Sequence, residues 1–296
     1  MKLHDGMKKF HGGLFHRRGF IRRVQALKKK DIPCKLFSAF LFSIFIFLIA
    51  CNGNNGNNGK NETAEAASTI TQSLNEGILP SQSFSKPWDG TGAQVNITTD
   101  DGVRLEGTLY HPSASKGILL LHMMGHDRTS YESIIPDLAK NYAVLALDLR
   151  GHGKSEGDAG SFSEGQFKAM IKDAAPALRL LGKKENAIIG ASIGANIALV
   201  QGASDPSVKT LILLSPGLDY HGITTPLSMN SFNRPSLLIA SKEDEYSAKT
   251  VQVLGKSHPT AAVEIFEGNK HGTDLFSTGT TIKVHIFKWL KANLGE

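Results

Sequence analysis

From residue 117 onward the chain alternates short, largely apolar runs with longer helical patterns, and few folds accommodate that alternation. Segments 117–121, 142–147, 186–190, 210–214, 236–240 and 261–266 each have the length of a strand. Most of them lack a polar face. Such strands are covered on both sides, as in a parallel sheet whose crossover helices lie above and below it. Helical patterns fill the intervals, over 130–140, 162–181 (interrupted by Pro176), 194–202, 247–256 and 280–294. Ahead of them, 93–99 and 103–110 alternate with a period of two around Asp100-Asp101-Gly102, which signals an antiparallel hairpin. The expected fold is α/β. It has a mostly parallel central sheet with helices on both faces, a leading antiparallel hairpin, and one domain over 89–296.

The formal charge of +6 invites a nucleic-acid reading, but it is unevenly placed. Residues 1–50 hold 11 Lys and Arg against 2 Asp and Glu, which leaves 22 basic and 25 acidic residues for 51–296, a net of −3. No basic stripe with interleaved aromatics remains to track phosphates, so no nucleic-acid partner is expected. The two cysteines are Cys34 and Cys51. The body after Cys51 therefore has no disulfide framework, no thiolate metal site and no cysteine nucleophile.

The basic stretch precedes an apolar run of 15 residues, 36–50. That is short for a membrane-spanning helix, which wants about 20, and suits the core of a signal peptide. Leu48-Ile49-Ala50-Cys51 resembles a bacterial lipobox. The resemblance implies a signal peptide over 1–50 and lipidation at Cys51, with a mature protein anchored to a membrane of the bacterial cell envelope. Asn52-Gly53-Asn54-Asn55-Gly56-Asn57-Asn58-Gly59 opens a polar stretch that has little to bury, so 51–88 reads as a flexible tether.

Chemistry in open α/β sheets gathers at the carboxyl ends of the strands. Two strings of the form Gly-x-Ser-x-Gly occur, at 153–157 and 190–194. Ser155 sits several residues past its nearest strand, in a charged, glycine-rich loop. Ser192 follows the apolar run Ile188-Ile189 directly and opens a helix of small and apolar residues, the context of a nucleophile elbow. A serine nucleophile needs a base oriented by an acid. The ends of the last two strands offer Asp244, within Glu243-Asp244-Glu245, and His271, followed by Gly272.

With Gly190-Ala191-Ser192-Ile193-Gly194, Asp244, His271-Gly272 and the turn Asp148-Leu149-Arg150-Gly151-His152-Gly153-Lys154-Ser155, the body resembles the α/β-hydrolase superfamily from about residue 93 to the end. The resemblance implies a catalytic triad of Ser192, Asp244 and His271, with Glu243 and Glu245 as alternative acids. It assigns the second turn, and so Ser155, a mainly structural role. It places the oxyanion hole on the backbone N–H groups of Ile193 and, by alignment, Met124. Met123 stands where family members commonly carry glycine. His122 and His126 are four apart but bracket Gly125 in a loop, without a third ligand at evident spacing, so no metal site is expected. Gly153-Lys154-Ser155 lacks the upstream glycine of a phosphate-binding loop.

The expected activity is hydrolysis of carboxylic esters with small or medium acyl groups through an acyl-enzyme, with no cofactor and a small-molecule ester or acyl substrate. Thioesterase, deacylase and peptidase chemistry stay open on the same triad, as does a non-catalytic binding module on the same fold. Only about 20 residues separate the strand ending near 214 from the one beginning at 236, so a large lid is not expected.

Overall fold

The computed structural model describes residues 88–296. The expected signal peptide, Cys51, and the tether up to residue 87 lie outside the described residues.

Among the described residues, eight strands form one sheet. They are β1 (Gly92–Thr98), β2 (Arg104–Tyr110), β3 (Gly117–Leu121), β4 (Ala143–Leu147), β5 (Asn186–Ala191), β6 (Val208–Leu214), β9 (Ser236–Ser241) and β10 (Ala261–Phe266), in the order β1-β2-β4-β3-β5-β6-β9-β10. β1 and β2 form the leading antiparallel hairpin, β2 also pairs antiparallel with β4, and every pairing from β4 to β10 is parallel. A second sheet is only the two-residue strands β7 (Asp219–Tyr220) and β8 (Ile223–Thr224).

The apolar runs at the centre of the sheet behave as strands covered on both faces, while β10, at its edge, stays partly exposed. Along β3, Leu119 and Leu121 enter one core with Leu145, Leu147 and Ile188, while Ile118 and Leu120 enter the other with Val144, Ala146 and Ile189. Helices α3 (Ala174–Leu181), α4 (Ile193–Ser204) and α6 (Glu245–Lys256) pack into the first core, together with Met229. The second is closed by α1 (Ile135–Leu138) and α7 (Thr281–Asn293). α4 carries apolar and small residues on all sides and is buried along most of its length. A central strand followed by a buried helix fixes the corner between them, and Ser192 occupies that corner.

Two helical expectations need correction. The pattern over 130–140 resolves into a 3-10 turn, Arg128–Tyr131, and the short α1. The pattern over 162–181 divides into α2 (Glu164–Ala169), a 3-10 turn at Met170–Lys172, and α3. The break falls before Pro176 and not at it. A proline ring clashes with the carbonyl four residues earlier, so the helix restarts at Ala174 and Pro176 sits in its first turn, where its missing N–H costs no bond.

Candidate active site

Ser192 has φ +53° and ψ −120°, a conformation unfavourable for a residue with a Cβ. The surroundings enforce it. Its N–H donates to the Leu214 carbonyl at the end of β6 (2.8 Å), and its carbonyl accepts from Ala195 and Asn196 in the first turn of α4 (2.9 and 3.2 Å). The two flanking glycines make the corner possible. A Cβ on Gly190 would collide with the Gly194 carbonyl, and one on Gly194 with the carbonyls of Leu121 and His122. The serine is thus held at the carboxyl edge of the sheet, 7% exposed.

The acid and base candidates come from the next strands along the sheet. Asp244 follows β9 and His271 follows β10, and His271 Nδ1 bonds Asp244 Oδ2 at 2.7 Å. Glu243 and Glu245 are exposed, and Glu245 pairs with Lys249 instead. Of the three neighbouring carboxylates, Asp244 is the one in contact with the imidazole. Gly272, the residue after His271, lies against the elbow. A Cβ there would come within 3.5 Å of Ala191 Cβ and 2.5 Å of the Met123 sulfur. Gly272 thus packs the segment that carries His271 against the strand that ends at Ser192.

On the opposite flank of β5, the loop after β3 turns at Met123–His126, closed by the His126 N–H to the Met123 carbonyl (3.2 Å), with Gly125 at φ +74°. Neither the Ile193 nor the Met124 N–H has an acceptor among the described residues. Met123 keeps a negative φ, so this turn does not need a glycine there. Its side chain is buried at 5% and fills the space that the missing Cβ of Gly272 leaves.

A family model for the alpha/beta hydrolase fold matches residues 117–242. An esterase from Pyrococcus furiosus superposes with a TM-score of 0.61 at 22% identity, covering 69% of this chain and 94% of that one. A serine hydrolase from Cycloclasticus zankles gives 0.57 at 16%, covering 68% and 97%. The chain has the α/β-hydrolase fold. Curated relatives include a polyketide transferase from a Penicillium species, 30% identical over 139 residues (44% of this chain, 47% of that one). A serine hydrolase-like protein from Danio rerio is 30% identical over 112 residues (37% and 34%). The matches span less than half the length of these curated relatives.

Within this α/β-hydrolase frame the second Gly-x-Ser-x-Gly string is a structural knot. Ser155 Oγ donates to the Asp148 carbonyl (2.6 Å) and accepts from the Glu106 N–H (2.9 Å), while the Asp148 carboxylate accepts from the Arg128 and Lys154 N–H groups. Arg150 bridges Asp173 and Asp101, tying this loop to α3 and to the β1–β2 turn. His122 is fully buried; its Nδ1–H donates to the Met123 carbonyl (2.8 Å) and its Nε2 accepts from the Leu149 N–H (3.0 Å). Burial pushes its pKa down to about 3, so it is a neutral strut between the two loops. His126 lines an open cleft of about 580 Å³ beside the site, together with Met124, His152, Phe167 and His221.

Three residues near the site escaped the sequence reading. Ser215, φ +50° and fully buried, accepts the Gly272 N–H at its Oγ (3.0 Å) and so helps place the residue after His271. Asn196 in α4 donates to the Ile223 carbonyl (2.7 Å) and accepts from the Gly217 N–H (3.0 Å), pinning the β7–β8 hairpin. Tyr220, on β7, lies edge-on to the His271 ring with centroids 6.4 Å apart. Only Asn196 left a trace in the sequence: it is a lone amide among Ile, Ala and Leu on a buried helix.

Proposed function

We propose that the chain is a serine hydrolase acting on carboxylic esters through an acyl-enzyme. The observation that carries this reading is a strained serine at a strand–helix corner, on the same sheet edge as an imidazole that bonds a carboxylate. The neighbours named as an esterase and as serine hydrolases support it.

Ser192 Oγ attacks the ester carbonyl while His271 Nε2 takes its proton. Asp244 holds the imidazole with Nδ1–H toward the carboxylate and stabilises the cation that forms. The Ile193 N–H, at the start of α4, and the Met124 N–H point at the negative charge that develops on the carbonyl oxygen. The tetrahedral intermediate collapses, His271 gives its proton to the leaving alcohol, and water repeats the cycle on the acyl-enzyme. Between β6 and β9 the chain holds only the β7–β8 hairpin and α5 (Pro226–Ser231), so the roof over the site is small. The cleft beside Met124 gives a small or medium substrate its room.

Ser192→Ala lowers turnover on acetate and butyrate esters by on the order of 10⁴ to 10⁶. Parallel thioester and anilide substrates sort the leaving-group class. Full activity of the purified Ser192→Ala protein overturns the reading.

A further inference from the structure

Tyr220 occupies a place that the triad and the oxyanion donors leave unexplained. Its ring stands perpendicular to His271, at 85°, and edge-on to Tyr246, with centroids 5.7 Å apart. Its hydroxyl donates a hydrogen bond to the Ser215 carbonyl (3.4 Å) and lies near the Ser192 side chain.

The hairpin that carries this side chain is built to hold it still. The Tyr246 hydroxyl accepts from the Asp219 N–H and donates to the Asp219 carbonyl, both at 3.1 Å. Thr225 Oγ1 donates to the Gly217 carbonyl (2.8 Å), and buried Asn196 clamps both Gly217 and Ile223. Gly217 makes room for the ring, since a Cβ there would lie 2.7 Å from it.

The order of strands gives the side from which Tyr220 acts. The oxyanion loop follows β3, on one flank of β5. Tyr220 follows β6, and Asp244 and His271 follow β9 and β10, all on the other flank. The proton for the leaving group comes from His271, so the leaving oxygen sits on that second flank, where the phenol is.

We propose that Tyr220 is a further catalytic residue, whose O–H leaves its long bond to the Ser215 carbonyl and donates to the leaving-group oxygen as the ester C–O bond breaks. This deepens the serine-hydrolase reading and rests on it. The phenol keeps its proton throughout: the proton that Ser192 loses goes to His271 and from there to the departing alcohol. Tyr220 spreads part of the charge on that oxygen before the transfer is complete. Burial pushes the phenol pKa up, which suits a donor that stays neutral.

The test is Tyr220→Phe, which keeps the ring. kcat/KM is measured on acetate esters whose alcohols run from p-nitrophenol to ethanol, and rates are normalised to the fraction of Ser192 that takes up a fluorophosphonate. p-Nitrophenolate leaves without help, so its ester loses less than about twofold. Ethyl acetate, with a poor leaving group, loses about tenfold, the worth of one hydrogen bond. An equal loss across the series, or none, overturns the proposal and leaves Tyr220 as a wall of the site. Wild-type protein that takes up no fluorophosphonate overturns the hydrolase reading itself. If Tyr220→Phe fails to fold, 3-fluorotyrosine at position 220 replaces it, being nearly isosteric and a stronger donor. It raises the rate on ethyl acetate relative to p-nitrophenyl acetate, and an unchanged ratio overturns the proposal.

Discussion

Residues 153–157 and 190–194 share the pattern Gly-x-Ser-x-Gly, yet the chain treats the two serines in opposite ways. Ser155 has its hydroxyl committed on both sides, to the Asp148 carbonyl and the Glu106 N–H. Ser192 is fixed by its backbone instead, through Leu214, Ala195 and Asn196. The first arrangement spends the hydroxyl on holding β2 to the loop after β4. The second spends backbone strain on presenting a hydroxyl. What separates the two is the distance from strand to serine: β5 runs into Ser192 with no intervening loop, while β4 ends eight residues before Ser155. A motif string therefore gains its meaning from the element that delivers it.

The glycines around the two serines offer the harshest way to test that contrast. In Gly194→Ala the new Cβ meets the carbonyl oxygens of Leu121 and His122, backbone atoms that cannot turn aside. The expected loss is about 3 kcal/mol or more, read as insoluble protein or a collapsed denaturation midpoint. Gly157→Ala places its Cβ 3.3 Å from the Phe162 ring at φ +101°, and costs about 1–3 kcal/mol of conformational strain. Equal stabilities for the two variants would break the comparison.

Next in size is Ser155→Ala. It strands the Glu106 N–H and removes a donor from the Asp148 carbonyl, so urea denaturation should show a loss of about 1–3 kcal/mol. Turnover per fluorophosphonate-reactive site should stay within about twofold. A large fall in that turnover with stability unchanged would give Ser155 the part assigned to Ser192.

An effect that is absent at neutral pH and grows on acidification concerns His122, which joins the loop that carries Ser155 to the loop after β3. Its pKa is pushed down to about 3 in the fold, from the ordinary 6.5 of the unfolded chain. Between these values the unfolded state binds a proton that the folded state refuses, so stability falls as pH drops through that window. One proton corresponds to about 1.4 kcal/mol per pH unit. His122→Asn removes that contribution, and urea midpoints measured from pH 7 down to pH 4 should show a shallower slope than the wild type. Identical slopes would mean that His122 is solvated and holds nothing.

Much of the fold was legible because each central strand is apolar on both faces and of ordinary length. Ser192, Asp244 and His271 could be singled out because each follows a strand within a few residues. The β7–β8 hairpin was not legible, although it carries Tyr220. Its strands are two residues each, too short for any alternation to appear, and its turn is His221-Gly222, with both residues at positive φ (51° and 80°). Asn-Gly or Asp-Gly would have announced such a turn; histidine does so weakly. Ser215 was hidden for a different reason. Its value lies in a bond to Gly272, 57 residues away, and no local pattern encodes a contact of that range. The misread helix break before Pro176 has a third cause, since proline is tolerated in a first turn and the sequence does not say which turn is first.

In the proposed mechanism the elbow, and not its twin string, carries the nucleophile. Fluorophosphonate labelling followed by peptide mass spectrometry tests it most directly. The predicted result is one label per folded molecule, on the peptide containing Ser192, and none on Ser192→Ala. Folded wild-type protein that stays unlabelled, or a label on Ser155, would contradict it.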